Sequence, residues 1–178
     1  SPHILIGVPT IFEKVHASVI EHTGRQQWAV RCLTKWALSV GLKKYRFEFL
    51  NLFFLGLAEK LVLRRIRKIF GTRIRYLVSG SAPMPIWLLE WFEAIDLPVL
   101  EAYGVSENVI PIAINGLKER KLGTVGKPLY PNQLSIASDG EILVRGPGVF
   151  PGYMESGIVS DQNQPYLNGY WHTGDLGC

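Results

Sequence analysis

The chain has 178 residues, 47% hydrophobic and 19% charged, with 18 Gly and 11 Pro, a composition that excludes disordered, collagen-like and coiled-coil architectures and suffices for one domain or two small lobes. Net charge is +4, yet residues 1–75 carry 14 Lys/Arg against 4 Asp/Glu whereas residues 76–178 carry 5 against 11, so a basic half precedes an acidic one. Two widely separated cysteines, Cys32 and Cys178, exclude a disulfide framework, and the four histidines lack the H-x-x-x-H or H-E-x-x-H spacing of zinc ligands.

Pro9-Thr10-Ile11-Phe12-Glu13 reads as a T-x-x-E capping box, in which the Thr10 hydroxyl and the Glu13 carboxylate satisfy orphan amides, so a helix is expected over 9–22 with Gly24 as its stop. Ile11, Val15 and Val19, with Phe12 and Ile20, recur at helical spacing and are expected to face a core. Residues 26–70 read as further helix, carrying Trp28, Leu33, Trp36, Ala37 and Val40, then Leu57, Leu61 and the tail Arg64-Arg65-Ile66-Arg67-Lys68, whose cations suit a helix C-terminus. Ten basic residues fall between Lys43 and Arg75, around an apolar run from Phe47 to Ala58 that is too short to span a bilayer. A basic face beside Phe53-Phe54-Leu55 suits an anionic lipid surface, and it equally suits the solvated side of a core helix.

After Gly71 the period changes. Ile74 to Val78 is a short β-prone run ending at Ser79-Gly80-Ser81-Ala82-Pro83, and Pro85 to Ile95 is helical, with Trp87, Trp91 and Phe92 expected in the core. Pro98 to Tyr103 is a second strand and Ile110 to Ile114 a third. Strands alternating with helices indicate an α/β fold with a mixed or parallel sheet and flanking helices, whose ligands bind beyond the C-terminal ends of the strands. From Gly123 the texture turns to Gly, Pro and short strands, most clearly Leu134 to Ser138, Asp139-Gly140, then Glu141 to Arg145, a hairpin pattern for which a type I′ turn is expected. The boundary therefore falls near 118–124: residues 1–120 form an α/β part and residues 121–178 a small antiparallel β lobe.

Several familiar sites fail on inspection. Ahead of Gly126-Lys127, Lys121 stands where a Walker loop needs Gly, and Pro128 where it needs Ser or Thr. Gly146-Pro147-Gly148-Val149-Phe150-Pro151-Gly152 has one residue too many for G-x-G-x-x-G, and Asn108 breaks the nucleophile-elbow pattern begun at Gly104-Val105-Ser106-Glu107. Three segments remain, each placed at a strand end or loop: Ser79-Gly80-Ser81-Ala82-Pro83, Tyr103-Gly104-Val105-Ser106-Glu107, and Gly169-Tyr170-Trp171-His172-Thr173-Gly174-Asp175. They offer a small-residue loop open to a planar ligand, an aromatic ring, a hydroxyl beside a carboxylate, and a late Asp, which are the parts of a nucleotide site.

In this order the three segments resemble the nucleotide-binding motifs of the adenylate-forming superfamily, which includes acyl-CoA synthetases, luciferases and peptide-synthetase adenylation domains. Gly123-Thr124-Val125-Gly126-Lys127-Pro128 and Glu141 to Pro147 match the same pattern, so the resemblance covers most of the chain. The early Val8-Pro9-Thr10 helix and the Trp-, Phe- and Arg-rich stretch before Ser79 look most like long-chain fatty-acyl-CoA synthetases, enzymes that join a fatty carboxylate to ATP as acyl-AMP and then pass the acyl group to coenzyme A.

By that resemblance Glu107 would hold Mg²⁺, and Ser106, standing where the family has Thr, would donate to the α-phosphate of ATP. Tyr103, followed by Gly104, would stack on adenine, with Gly80, Ser81, Ala82 and Pro83 flanking the base. Asp175 would accept hydrogen bonds from the ribose hydroxyls of ATP or AMP, a task suited to an ionised carboxylate. Val105, Asn108 and Val109 would border the carboxylate end of an acyl channel, and Arg145 is left unassigned. Read without the resemblance, Tyr103 could be a core or rim residue, Gly80 and Gly104 turn glycines, and Asp175 a cap.

The family's Ser/Thr/Gly-rich phosphate loop, its hinge and its C-terminal domain with the catalytic Lys have no counterpart here, so the resemblance implies an internal piece that is inactive alone. Expected substrates of the intact enzyme are a fatty acid, ATP and coenzyme A. The rival readings are a fatty acyl-AMP ligase loading a carrier protein, and a non-catalytic module whose 43–75 region contacts a membrane surface. The chain opens Ser1-Pro2-His3 without a secretory pattern, so a cytoplasmic location, peripheral at a membrane through 43–75, is expected. A nucleic-acid partner is not expected, because no zinc-finger, RNP or GXXG signature accompanies the basic run.

Overall fold

The computed structural model describes residues 2–46, 52–109, 111–155, 158–159, 166–167 and 169–178. They form two compact units: Ser1–Glu101 with Arg120–Thr124, and Ala102–Glu119 with Val125–Cys178.

In the first unit three parallel strands stand side by side, β1 (Ile4–Gly7), β2 (Tyr76–Ser79) and β3 (Val99–Tyr103), with β2 central. Parallel neighbours need long crossovers. The first is helical throughout its regular parts: α1 (Pro9–Gly24), α2 (Trp28–Arg46), and α3 (Leu52–Ala58) continued by a π-helical turn at Glu59–Leu63 into α4 (Arg64–Arg67) and a last 3₁₀ turn at Lys68–Phe70. The second is α5 (Ile86–Ala94), which starts directly after Pro85. Phe12, Leu77, Leu88, Phe92 and Ile95 are fully buried among these elements, and Phe92 takes the ring edges of Phe12 at 5.8 Å and Phe70 at 5.7 Å. Each such side chain contributes about 1.5–3 kcal/mol by leaving water. The Glu93 carboxylate on α5, itself buried, takes a two-pronged bond from Arg120, at 2.7 Å from Nε and 2.5 Å from Nη2, which ties the 120–124 segment to this unit.

Four local expectations need correcting. The α1 N-cap is Val8 with no side-chain cap bond, and Pro9 opens the helix, so the Thr10–Glu13 box is not formed: with Thr10 already inside the first turn, its backbone is helical rather than extended. The buried face of α1 is carried by Phe12 and Val19, whereas Ile11 and Ile20 are 46% and 45% exposed. Trp87, expected in the core, is 54% exposed because α5 buries the stripe of Leu88, Leu89 and Phe92 instead. Strand β1 was not expected at all: four residues between Pro2 and Pro9 carry too little pattern to read. Phe53 and Phe54 are exposed beside exposed Lys60, Arg64 and Arg65; Phe47 to Asn51 of the same apolar run lie outside the described residues, as does Ile110.

Strand β3 runs on into the second unit, where its last two residues pair antiparallel with β4 (Ala113–Ile114), and β4 with β5 (Lys127–Pro128). A four-stranded antiparallel sheet follows, in the order β10 (Tyr166–Leu167), β11 (Tyr170–Leu176), β7 (Glu141–Arg145), β6 (Gln133–Ile136), beside a small ribbon of β8 (Met154–Glu155) and β9 (Ile158–Val159). Ile112, Val144 and Trp171 form the core of this unit, with the Phe150 ring edge-on to Trp171 at 4.9 Å. The β6–β7 hairpin lies where Asp139-Gly140 placed it, but its turn is different. Gly140 alone has positive φ, at 90°; its amide donates to Ala137 O at 3.0 Å and the Ala137 amide to Glu141 O at 2.9 Å. This is a three-residue loop with Gly in the left-handed position, which leaves Asp139 unstrained and accounts for the Asp-Gly order as well as type I′ would.

Candidate active site

In the first unit, the loop after β2 leaves the C-terminal edge of the parallel sheet, the position at which α/β folds collect ligands. Gly80 donates to Gly7 O at 3.3 Å, and Ser81 adopts a positive φ of 69°, uncommon for a residue with a side chain. Ser81, Ala82 and Pro83 are exposed. Behind them Met84 is buried, and its amide donates to Glu101 Oε1 at 3.3 Å, while Glu101 Oε2 accepts from the Gly123 amide at 3.1 Å. Burial raises the Glu101 carboxyl above its usual range, partly offset by these two amides. Sequence reasoning passed over Glu101; its signal was an acid inside the otherwise apolar strand Pro98 to Tyr103.

The second unit brings two of the sequence motifs into contact. Tyr103, at the end of β3, donates its phenol to Asp175 Oδ2 at 2.6 Å across 72 residues of sequence. Burial, reinforced by that carboxylate, pushes the Tyr103 phenol up to about 12, so at neutral pH it is a neutral donor. Asp175 lies within strand β11 and not in a loop as expected; a local irregularity of the strand turns it out, exposed, and its amide is held by Thr173 Oγ1 at 3.2 Å.

Gly104 and Val105 lead from β3 into a turn closed by the Asn108 amide on Val105 O at 3.1 Å. Three contacts pin this turn to the 148–150 loop: Val109 donates to Gly148 O at 2.9 Å, Phe150 to Glu107 O at 2.8 Å, and Asn108 bridges Val149. Ser106 is thereby left exposed at the tip and Glu107 half-buried next to it. The Glu107 carboxylate accepts a hydrogen bond from Tyr153, whose ring lies 4.8 Å from Phe150, and this bond raises the Tyr153 phenol pKa. Tyr153 had no signal in spacing or type. Val109 is 86% exposed and Asn108 buried, so only Val105 and Val109 of the expected acyl-side residues present themselves at the surface of this turn. No group of three or more His, Cys, Asp or Glu side chains is gathered among the described residues. A lone Glu107 therefore fits Mg²⁺, which typically takes one or two carboxylates and completes its octahedron with phosphate oxygens and water.

A sequence profile for the family described as AMP-binding enzyme matches residues 1–154. The chain belongs to that family. The match takes in Gly80 to Pro83, Tyr103, Ser106 and Glu107 of this AMP-binding enzyme, and Asp175 lies beyond it. Among curated relatives, the long-chain-fatty-acid–CoA ligase FadD15 of Mycobacterium bovis is 33% identical over 181 residues, covering 99% of this chain and 30% of the relative. The 2-succinylbenzoate–CoA ligase of Listeria monocytogenes is 32% identical over 122 residues, 65% of this chain and 26% of that protein. The chain thus spans about 30% of the length of the relatives it matches. Among solved structures, the O-succinylbenzoate coenzyme A synthetase MenE of Bacillus subtilis in complex with ATP and magnesium superposes with TM-score 0.58 at 24% identity, over 98% of this chain and 29% of that one. This likeness establishes the adenylate-forming N-terminal fold anticipated from the sequence.

Proposed function

We propose that this chain supplies the adenosine and Mg²⁺ side of the active site of a longer, ATP-dependent acyl-CoA ligase acting on long-chain fatty acids. The observation that carries this is the Tyr103–Asp175 bond, which joins the Tyr-Gly-x-Ser-Glu and Thr-Gly-Asp segments into one group, with Ser106 and Glu107 following in the same turn. Tyr103 offers its ring to adenine, and Asp175 its carboxylate to the ribose hydroxyls. Gly104 leaves the backbone beside the ring uncovered. In the first unit, Gly80, Ser81, Ala82 and Pro83 present exposed small residues suited to the edge and face of a base.

A carboxylate is a poor electrophile until it carries a leaving group. In the reaction proposed, a carboxylate oxygen of the acid attacks the α-phosphorus of ATP, the bond to the bridging oxygen breaks, and pyrophosphate departs with the electron pair. The thiolate of coenzyme A then attacks the acyl carbon, forming a thioester and releasing AMP. Two anions must meet, so positioning and screening dominate the barrier. Ser106 donates its hydroxyl to the α-phosphate oxygen that gains charge; Glu107 holds Mg²⁺, which supplies the charge neutralisation.

The fatty-acid assignment rests on the FadD15 relatives, and the succinylbenzoate ligase relatives support a second reading in which the acid is aromatic. ATP–pyrophosphate exchange by the intact protein, run against a panel of saturated fatty acids and aryl carboxylates, distinguishes them: exchange is expected with the long-chain acids, exchange only with aryl acids would replace the substrate class, and no exchange with any acid would defeat the ligase reading. Contact of the 43–75 region with anionic membrane is a separate proposal; sedimentation with anionic vesicles is expected to carry the protein down, and recovery in the supernatant would reject it.

A further inference from the structure

The strand that carries Asp175 is not regular. Trp171 and His172 of β11 face Val144 and Leu143 of β7, but the next pairing is Leu176 with Glu141. From His172 to Leu176 is four steps, and from Leu143 to Glu141 only two, so two extra residues bow out of β11 at Thr173, Gly174 and Asp175. Gly174 takes a φ of 75° in that bow. Bulges of this kind re-aim side chains, and they persist where something satisfies the backbone groups that the ladder no longer pairs.

Here that something is a single carboxylate. Glu141 Oε1 accepts the Gly174 amide at 2.8 Å, and Oε2 accepts His172 Nδ1 at 2.6 Å, so one side chain clasps the bulge at its start and at its middle. The other imidazole nitrogen, Nε2, is buried without a hydrogen-bond partner, which fixes the proton on Nδ1 and makes Glu141 the polar anchor of that ring. Thr173 adds a second tie, donating to Ile142 O at 2.7 Å. Asp175 follows directly and meets the Tyr103 phenol.

We infer that Glu141 is a positioning residue for nucleotide: by clasping the β11 bulge at His172 and Gly174, it sets the direction in which Asp175 offers its carboxylate to the ribose hydroxyls. This rests on the nucleotide reading given above, and it adds a residue that touches no ligand. Its effect must therefore pass through the hydroxyls that Asp175 binds. A nucleotide lacking one of them has less to lose.

The test is binding of ATP and of 3′-deoxy-ATP to the intact protein and its Glu141→Ala and Asp175→Ala variants, by calorimetry, with circular dichroism to confirm the fold. Glu141→Ala is expected to weaken ATP about tenfold, as loss of alignment at a charged hydrogen bond does, and 3′-deoxy-ATP about twofold or less. Equal weakening of both nucleotides, or none of ATP, would overturn the inference. Asp175→Ala reports on the underlying reading: if it leaves the preference for ATP over 3′-deoxy-ATP intact, Asp175 does not bind ribose and both claims fall. If it abolishes the preference while Glu141→Ala keeps it, only the role of Glu141 falls. Should Glu141→Ala not fold, Glu141→Gln, which keeps one acceptor oxygen, is read with the same nucleotide pair and the same criteria.

Discussion

Glu101→Ala probes the buried acid beneath the Gly80–Pro83 loop. Two amides lose their acceptor together. Met84 is buried, so its amide has no access to water and its loss is charged in full, about 1–3 kcal/mol; Gly123 is exposed, so water replaces the carboxylate there and the loss is about 0.5–1 kcal/mol. Removing a buried charge returns some of this. The net cost is about 1–3 kcal/mol, concentrated at two loops that are far apart in sequence. Burial holds the carboxyl above its usual value of 4.5, so the folded state favours the protonated acid. The contribution of this side chain is therefore largest below that value and declines as pH rises through the elevated pKa, and the deficit of Glu101→Ala is larger in acid than at neutral pH. Hydrogen–deuterium exchange of the intact protein reads both loops: peptides containing Met84 and Gly123 should exchange faster in the variant, with peptides from β6 and β7 unchanged. Unaltered exchange at Met84 would refute the reasoning, because that amide has no other acceptor to turn to.

Gly41→Ala would place a methyl carbon 1.9 Å from the Ala94 carbonyl oxygen, where α2 meets the end of α5; the helices must separate, and a loss of about 3 kcal/mol, read as a lower midpoint of thermal unfolding, is expected. Tyr103→Phe keeps the ring and removes the bond to Asp175. The phenol, pushed up from 10.0 to about 12, gives stability that is fully present below the lower value and lost as pH rises through the upper one. Alkaline spectrophotometric titration should lose its last-ionising phenol in this variant, and a titration identical to that of the parent protein would contradict the assignment. Tyr153→Phe frees the Glu107 carboxylate of its donor; the dissociation constant for Mg²⁺, measured in the presence of ATP, should change by severalfold, and an unchanged constant would place Tyr153 outside the metal's influence.

The parallel layer was legible because β2, α5 and β3 each show their own period and their own stops, from Gly71 to Pro98. Strand β1 was not, since Ile4 to Gly7 take their conformation from pairing with β2 and not from any local pattern. The helix start at Pro9 was right in place and wrong in cause: the box residues lay one position too far along. At the site, Tyr103, Ser106, Glu107 and Asp175 stood out as chemistry-bearing types in a recognised order. Their supports did not. Glu101, Glu141 and Tyr153 act on partners 17 to 46 residues away, through contacts that depend on strand register and on a bulge, neither of which is written in composition or spacing.

The most direct test of the nucleotide site is a structure of the intact protein with AMP. The account predicts adenine against the Tyr103 ring and both ribose hydroxyls on the Asp175 carboxylate; AMP bound with neither residue in contact would contradict it.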